Sequence, residues 1–295
     1  MKTIQTIKEL KEAIHTWKRE GKTIGFVPTM GAFHEGHIAL VKAARQEADI
    51  VVCSLFVNPL QFAPGEDYDR YPRTLDADKH IASREGVDLL FCPTVSEMYP
   101  EPMTVNIHVK RRVDCLCGKD RPGHFDGVAT VVLKLLQLTE CDFVYFGLKD
   151  AQQVAVIEGL VNDFHLPQTV RRVETVREQN GLAMSSRNRY LSEKERDEAA
   201  GILRSLQRVK KWVEEGEVNR DRLIDVVHRD LSESLSGTVD YVDIRSFPEL
   251  QTKETLQGET IVAAAVSYPS ARLIDNIIVH VPNENEKNRG ECHVS

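Results

Sequence analysis

The fold is decided by Gly25-Phe26-Val27-Pro28-Thr29-Met30-Gly31-Ala32-Phe33-His34-Glu35-Gly36-His37. The apolar run over residues 23–27 predicts a short buried strand, which Pro28 ends. A turn around Gly31 follows, and apolar residues then recur at helical spacing from Ile38 to Ala48. The stretch therefore predicts a strand, a tight turn and a helix that begins near His34.

His34 and His37 lie three residues apart in the first turn of this predicted helix, where they are neighbours on one face. The first turn also presents unpaired backbone N–H groups and the positive end of the helix dipole, which together bind anions. The pattern therefore favours a phosphate site. Two other interpretations stay open. The pair could be half of a metal site, although no further Cys or His lies nearby to complete it, or a helix start without chemistry.

The composition of the 295-residue chain is that of a globular protein, with 41% hydrophobic and 28% charged residues. This length predicts two domains rather than one. The net charge of −7 argues against a general nucleic-acid or membrane-surface binder, which needs a basic excess. No apolar run approaches a membrane span, and the first residues resemble an amphipathic helix rather than a signal peptide. We therefore expect a soluble, cytoplasmic protein that binds neither nucleic acid nor membranes.

The placement of the cysteines does not suggest disulfides or zinc. Cys53 and Cys92 lie in apolar runs and Cys141 stands next to another, which predicts buried thiols. Cys115 and Cys117 form the only close pair in the sequence, and no second pair at ligand spacing accompanies them. We expect no structural zinc site.

Strand and helix patterns alternate over the first 176 residues, with short connections between them. The run over 49–57 is apolar throughout, which is typical of a parallel strand covered on both faces. The segment 93–102 contains three prolines and is expected to be a surface excursion without regular structure. This alternation predicts a doubly wound α/β domain with a parallel sheet. Its further predicted strands cover 87–92, 104–109 (an edge strand), 143–146 and 169–176, and its further predicted helices cover 4–20, 75–85, 128–138 and 151–164.

The pattern changes after Val176 and predicts a smaller α+β domain. A turn at 179–181 leads into a polar, cationic connection over 182–189. Ser192 is expected to cap a long charged helix, with Glu195 at capping-box spacing. A second helix over 220–235 and three strands over 240–245, 260–266 and 272–279 complete this domain. We predict domains over 1–178 and 179–281 and a disordered tail over 282–295.

Four loops at predicted strand ends or at the domain junction collect most of the polar chemistry. They supply two histidines, a lysine, an arginine, two serines and several amides, which suits a polyphosphate and a polar substrate. No Gly-x-Gly-x-x-Gly and no Walker lysine loop is present, which argues against dinucleotide oxidoreductases and kinase-type folds. Lys149 and Arg187 could still be plain surface charges. The loops are 28–37, 58–61, 147–153 and 184–187.

Two motifs carry a resemblance to a known superfamily. His34-Glu35-Gly36-His37 resembles the His-Ile-Gly-His signature of the adenylate-forming nucleotidyltransferases, which include class I aminoacyl-tRNA synthetases. Met184-Ser185-Ser186-Arg187 is similar to their Lys-Met-Ser-Lys-Ser loop.

Six further motifs, spread in order over nearly the whole chain, carry a narrower resemblance. They are Pro28-Thr29-Met30-Gly31-Ala32, Asn58-Pro59-Leu60-Gln61-Phe62, Tyr71-Pro72-Arg73-Thr74, Arg121-Pro122-Gly123-His124-Phe125, Phe146-Gly147-Leu148-Lys149-Asp150-Ala151-Gln152-Gln153 and Ser185-Ser186-Arg187-Asn188. With these motifs the chain resembles the pantothenate synthetase (pantoate–β-alanine ligase) family. The departures are modest: Leu60 stands where that family often has methionine, and the polar tail is extended.

The resemblance implies a Rossmann-like nucleotidyltransferase fold and a two-step ligation. ATP and (R)-pantoate give pantoyl adenylate and pyrophosphate, and β-alanine then displaces AMP to form pantothenate. Residues 1–178 would bind ATP and pantoate, and residues 179–281 would form a lid over the adenylate. Mg²⁺ is expected with the triphosphate, and the family implies a homodimer.

The resemblance also assigns roles to individual residues. His34, His37, Lys149 and Arg187 are the catalytic candidates, since they can stabilise charge that develops on phosphate oxygens. Asn58, Gln61 and Gln153 are the candidates for binding pantoate or β-alanine, and Asp78 and Asp150 are candidate carboxylates for Mg²⁺. The predicted ATP site comprises Met30, Gly31, Ala32, Phe33, His34, Glu35, Gly36, His37, Gly147, Leu148, Lys149, Asp150, Val176, Met184, Ser185, Ser186 and Arg187.

Two alternative functions stay open at this point. One is another nucleotidyltransferase of the same fold, such as a cytidylyltransferase, which would keep the nucleotide in its product. The other is a non-catalytic RNA binder related to synthetases, against which the acidic balance and the complete set of site residues argue.

Overall fold

The computed structural model describes residues 1–282, which form two compact units. The first unit contains Met1–Asp114, Gly118–Val176 and Met184–Ser186. The second contains Cys115–Cys117, Arg177–Ala183 and the described residues from Arg187 onward. The predicted disordered tail lies outside the described residues, apart from Pro282.

A six-stranded parallel sheet forms the centre of the first unit, with strand order β1-β4-β3-β2-β5-β6. Its strands are β1 (Lys2–Ile4), β2 (Ile24–Thr29), β3 (Ile50–Leu55), β4 (Leu89–Phe91), β5 (Phe143–Gly147) and β6 (Thr169–Val173). Its helices are α1 (Ile7–Arg19), α2 (Glu35–Glu47), α3 (Leu75–Arg84), α4 (Val95–Met98), α6 (His124–Thr139) and α7 (Ala151–Asp163), while α5 (Leu116–Asp120) begins in the second unit.

Burial of the sheet on both faces explains why its strands are continuous apolar runs. Val27 and Cys53 lie side by side in β2 and β3, and both pack with α2 and α3. Phe26 points to the opposite face, because successive side chains of a strand alternate, and is also fully buried. The helices α6 and α7 contact β2 and β5. The predicted doubly wound α/β sheet is confirmed.

The strand order places a topological switch between β2 and β5. From β2 the chain continues to β3 and β4 on one side, whereas β5 and β6 lie on the other side. In an open parallel sheet, ligands bind outside the carboxyl ends of the strands at such a switch point. The segments that follow these two strands are 30–37 and 148–153, and both belong to the predicted site.

The second unit is built on an antiparallel sheet with strand order β7-β8-β9. The predicted capping box is present at the start of its long helix, where Ser192 Oγ accepts from the Glu195 N–H. Leu206 and Val262 are among the residues of its core. The elements are α8 (Glu193–Glu214), α9 (Arg220–Ser234), β7 (Thr238–Ser246), β8 (Gly258–Ser267) and β9 (Arg272–Val281), so the three predicted strands are confirmed.

Five predictions of local structure were wrong. Pro28 does not end its strand, because β2 continues to Thr29, which pairs with Leu55 of β3. Ile4 belongs to β1 and pairs with Phe91, because a three-residue strand precedes the amphipathic helix. Residues 104–109 form no strand, since the sheet's edges are occupied by β1 and β6, and Val105 is 73% exposed. The proline-rich segment contains the one-turn helix α4, capped by Thr94. The apolar helix α6 begins at His124 rather than at residue 128.

The cysteines are free thiols in the described residues. The predicted burial of Cys53, Cys92 and Cys141 is confirmed, and Cys115 is buried as well. Burial raises the pKa of the Cys92 thiol to about 11, so this thiol stays protonated near neutral pH.

Candidate active site

The loop between β2 and α2 is held by Asp78, which is buried in the first turn of α3. The Asp78 carboxylate accepts hydrogen bonds from the N–H groups of Ala32 at 2.9 Å and Phe33 at 2.8 Å, and from Thr74 Oγ1 at 3.1 Å. Gly31 and Ala32 adopt positive φ angles of 87° and 53°, which this carboxylate stabilises. Asp78 therefore shapes the loop through hydrogen bonds to its backbone.

The two histidines cap the helix α2 with their side chains. His34 is the N-cap residue, and its Nδ1 accepts a hydrogen bond from the Gly36 N–H at 3.1 Å. His37 Nδ1 accepts from the His34 N–H at 3.3 Å. A Cβ atom on Gly36 would lie 2.8 Å from His34 Cε1, so this geometry requires glycine.

This capping corrects the prediction that the first turn leaves its N–H groups unpaired. Because a backbone N–H only donates, the Nδ1 atoms of His34 and His37 carry no proton. Each neutral imidazole therefore carries its proton on Nε2. The ring centroids lie 4.0 Å apart, so the pair presents two neighbouring side-chain donors at the start of α2.

His37 is neutral in the folded protein. Burial, together with the nearby His34 ring and the Lys149 ammonium, lowers the pKa of His37 from 6.5 to about 3. The ring can therefore donate a hydrogen bond from Nε2 over the whole physiological pH range without carrying charge.

This shift predicts a pH dependence of stability. Between the folded pKa and the ordinary value of about 6.5, the unfolded chain binds more protons at His37 than the folded chain does. Stability should therefore fall as the pH drops below about 6.5. From about pH 7.5 to about pH 5.0 we expect His37 to remove about 2 kcal/mol from the free energy of unfolding. Urea unfolding of the wild type and of His37→Gln at both pH values measures this contribution. The same pH dependence in both proteins would contradict it.

Lys149 lies at the carboxyl end of β5, on the other side of the topological switch. It belongs to the short 3₁₀ helix Leu148–Asp150 and its side chain is 20% exposed. Its Nζ lies 3.6 Å from Asp150 Oδ1, and its charge contributes to the lowered pKa of His37. The structure thus brings a lysine and two histidines to the same edge of the sheet, as predicted.

The segment after β3 holds two buried amides. Asn58 precedes the 3₁₀ helix Pro59–Gln61, and its Nδ2 donates to Gln61 Oε1 at 3.1 Å and to the Gly127 carbonyl at 3.1 Å. Asn58 Oδ1 accepts from the Tyr99 hydroxyl at 2.8 Å. Gln61 Nε2 lies 3.4 Å from Met30 Sδ. Asn58 is therefore hydrogen-bonded within the protein and holds Gln61.

From the sequence, no role was predicted for two residues that support Gln61, His124 at the start of α6 and Arg121 in the turn before it. His124 Nδ1 contacts the Gln61 carbonyl at 2.7 Å, and Arg121 Nη2 donates to the same oxygen at 3.4 Å. Arg121 also pairs with Glu66 at 2.6 Å. Burial and the Arg121 charge lower the pKa of His124. The motif over 121–125 was visible in the sequence, but its contact with Gln61 joins residues about 60 positions apart.

Gly127 permits the close approach of α6 to the backbone of this segment. A Cβ atom there would lie 2.3 Å from the Leu60 carbonyl oxygen and 2.6 Å from the Gln61 nitrogen. We expect Gly127→Ala to lower the free energy of unfolding by about 3 kcal/mol, because backbone has to move, and to displace Gln61.

Gly159→Ala is the matched control for this prediction. It also adds one methyl group to a helix, but the nearest atom is the end of the Arg112 side chain at 3.3 Å. Urea unfolding of the two variants makes the comparison. An unfolding free energy of Gly127→Ala equal to that of Gly159→Ala would contradict the packing argument.

The other predicted residues have the following places. Gln153 lies half-buried in the first turn of α7, whereas its neighbour Gln152 is buried and bonded to Gly118 and Arg112.

The Met184 N–H donates to the Val176 carbonyl at 2.9 Å. Glu35 is exposed on α2, Gly147 ends β5, Ser185 is half-buried and Ser186 is buried. Arg187 belongs to the second unit, in the 3₁₀ helix Ser186–Tyr190.

A family model described as pantoate-beta-alanine ligase matches residues 2–278. The chain belongs to this family. A pantothenate synthetase of Geobacillus sp. (strain WCH70) is 53% identical over 275 residues, which cover 93% of this chain and 98% of that protein.

Two crystal structures of the pantoate-beta-alanine ligase family show the same fold. Pantothenate synthetase from Thermus thermophilus has a TM-score of 0.89 and 42% identity, covering 95% of this chain and 100% of that one. Pantoate-beta-alanine ligase from Francisella tularensis, complexed with beta-gamma ATP and beta-alanine, has a TM-score of 0.78 and 35% identity, covering 94% and 97%.

Membership of this family confirms the predicted resemblance and the predicted reaction class, an ATP-dependent ligation of pantoate and β-alanine. It therefore decides between the ligase and the two alternative functions considered from sequence. Within residues 1–282, no helix combines the length and the apolar character that crossing a bilayer would require.

Proposed function

We propose that the first unit carries out the condensation of (R)-pantoate with β-alanine at the carboxyl edge of its parallel sheet. The observation that supports this best is the donor set at the topological switch. The neutral pair His34 and His37 presents two Nε2 protons after β2, and Lys149 follows β5. A bound polyphosphate would therefore meet N–H donors and one positive charge at the place where open parallel sheets bind ligands.

In the first step, a carboxylate oxygen of pantoate attacks the α-phosphorus of ATP and pyrophosphate leaves. Negative charge grows on the phosphate oxygens in the transition state. The Nε2 protons of the histidines and the Lys149 ammonium stabilise this charge, and they are held in place before the reaction by helix capping and by the end of β5.

In the second step, the amine of β-alanine attacks the carbonyl carbon of the adenylate and AMP leaves. We propose Gln61 and Gln153 as the side chains that bind pantoate through its hydroxyl groups and carboxylate. A neutral amide fixes the nucleophilic carboxylate without the ion pair that would weaken its attack. Asn58 supports Gln61 from behind through its own hydrogen bonds to the protein.

We propose that Mg²⁺ enters with ATP and is held mainly by phosphate oxygens. Among the described residues, no group of three or more His, Cys, Asp or Glu side chains forms a metal cage. This fits Mg²⁺, which keeps several waters and needs only one or two protein carboxylates beside substrate phosphates. Asp150, whose side chain is 52% exposed beside Lys149, is the proposed carboxylate. When bound, Mg²⁺ would neutralise part of the triphosphate charge.

Further parts of the proposal depend on the motif over 184–187 and on the family. Arg187 would add a second cation to the phosphates, and Val176, Met184, Ser185 and Ser186 would contact ATP. Residues 1–178 would bind ATP and pantoate and residues 179–281 would act as a lid. A homodimer in the cytoplasm completes the proposal.

The formation of AMP tests the proposed function directly. The purified chain with Mg²⁺ and ATP should release AMP continuously only when both pantoate and β-alanine are present. Sustained turnover without β-alanine, with the nucleotide kept in the product, would instead indicate a nucleotidyltransferase of another kind.

A further inference from the structure

Tyr99 reaches the buried amides of the site from a segment that the sequence assigned to the surface. It follows α4, and the side chain of its neighbour Met98 is completely buried. The centroid of the Tyr99 ring lies 6.1 Å from that of the Phe56 ring. Lys134 Nζ, which belongs to α6, lies 4.9 Å from the centroid of the Tyr99 ring. These contacts anchor the ring, and its hydroxyl donates to Asn58 Oδ1 at 2.8 Å.

The neighbours of Asn58 determine which end of its amide is oxygen and which is nitrogen. The atom 3.1 Å from the Gly127 carbonyl has to be the donor Nδ2, because a carbonyl only accepts. The opposite atom, 3.4 Å from the Leu60 nitrogen, has to be the acceptor Oδ1. This oxygen also accepts the hydrogen bond from the Tyr99 hydroxyl. The second N–H of Asn58 then donates to Gln61 Oε1 at 3.1 Å.

This chain of bonds fixes the polarity of Gln61. Its Oε1 is occupied by Asn58, so its Nε2 points away from Asn58 and lies 3.4 Å from Met30 Sδ, which is a weak acceptor. The side chain thus offers N–H groups, and not its oxygen, to a ligand. Pantoate carries a carboxylate and hydroxyl oxygens that accept such hydrogen bonds, whereas a reversed amide would place its oxygen against the carboxylate.

We propose that Tyr99 is a positioning residue for pantoate, which acts through Asn58 to hold the Gln61 amide with its N–H groups toward the substrate. This inference rests on the proposed role of Gln61 in binding pantoate. Without the Tyr99 hydroxyl, Asn58 Oδ1 keeps only the long contact with the Leu60 N–H. The Gly127 carbonyl still holds Asn58 Nδ2, so the Asn58 amide keeps its orientation but is held less firmly, and Gln61 is held less firmly with it.

Steady-state kinetics of AMP formation test this with four variants. Tyr99→Phe should raise the KM for pantoate about tenfold and leave the KM for ATP and kcat within about twofold of the wild type. Tyr145→Phe is the matched control, because it also removes one buried hydroxyl bond, to Glu47 at 2.8 Å, and it should leave the KM for pantoate unchanged. Thermal unfolding of both variants shows that they are folded.

The remaining variants, Gln61→Ala and the double variant Tyr99→Phe/Gln61→Ala, separate the inference from the proposed function. Gln61→Ala should raise the KM for pantoate, and Tyr99→Phe should add nothing in that background, because its effect passes through Gln61. An unchanged KM for pantoate in Gln61→Ala would overturn the role of Gln61 and the inference with it. A raised KM in Gln61→Ala, combined with no effect or a fully additive effect of Tyr99→Phe, would overturn the inference alone.

Discussion

Replacing His37 by alanine is expected to lower kcat and kcat/KM together by about 10²–10³, which is the usual cost of removing one preorganised donor to a developing oxyanion. The imidazole is neutral and its Nε2 proton is fixed by the bond that Nδ1 accepts from the His34 N–H. Its hydrogen bond to a phosphate oxygen should therefore strengthen as charge grows in the transition state.

Single-turnover adenylation at saturating ATP measures this loss for His37 without the second step. His37→Gln retains an N–H donor and should recover part of the rate, while His80→Ala, an exposed histidine on α3, should behave as the wild type. A near-wild-type adenylation rate in His37→Ala, with a raised KM for ATP, would mean that the residue only binds ground-state ATP.

Replacing Lys149 by methionine should have an effect of similar size. The substitution keeps the apolar stem and removes the cation at the carboxyl end of β5, so we expect kcat to fall by about 10²–10³. The pKa of His37 should rise at the same time, because the Lys149 charge is one of the causes that lower it.

Lys42→Met is the matched control for the Lys149 prediction. Lys42 lies on α2 of the same unit, its side chain is 62% exposed, and the change in net charge is the same. Steady-state kinetics should show wild-type kcat for Lys42→Met. Equal losses in the two variants would mean that net charge, and not the position of Lys149, controls the rate.

The strands were predictable where burial leaves an unbroken apolar run. The run over 49–57 became β3 and the run over 143–146 became β5, since each is covered on both faces. Strands of only a few residues were not predictable, because they are too short to show such an apolar run. Ile4 fits the apolar stripe of α1 as well as a three-residue strand, and only its pairing with Phe91 decides between them.

The site was predictable at the level of residue types and loops, but not at the level of hydrogen bonds. The order of the strands, which brings His37 and Lys149 to one edge, depends on long-range pairing that periodicity does not contain. The sequence shows the Asp78 carboxylate but not that it binds backbone N–H groups 45 and 46 positions away. Likewise, the pattern at α2 shows two histidines but not which of their nitrogens accepts.

The structure of the proline-rich segment could not be predicted from its composition. Three prolines over 93–102 indicated an irregular excursion, whereas Thr94 caps a turn of helix there and Met98 is buried. Tyr99 then contacts Asn58, 41 positions earlier in the chain. A rule about prolines describes the local backbone and cannot indicate such a contact.

Exchange of labelled pyrophosphate into ATP tests the central claim, that a pantoyl adenylate forms at this site, most directly. The chain is incubated with Mg²⁺, ATP, labelled pyrophosphate and pantoate, without β-alanine, and the label in ATP is measured. We predict exchange that requires pantoate and that falls by about 10²–10³ in His37→Ala. The absence of exchange in a preparation that makes pantothenate once β-alanine is added would contradict the account.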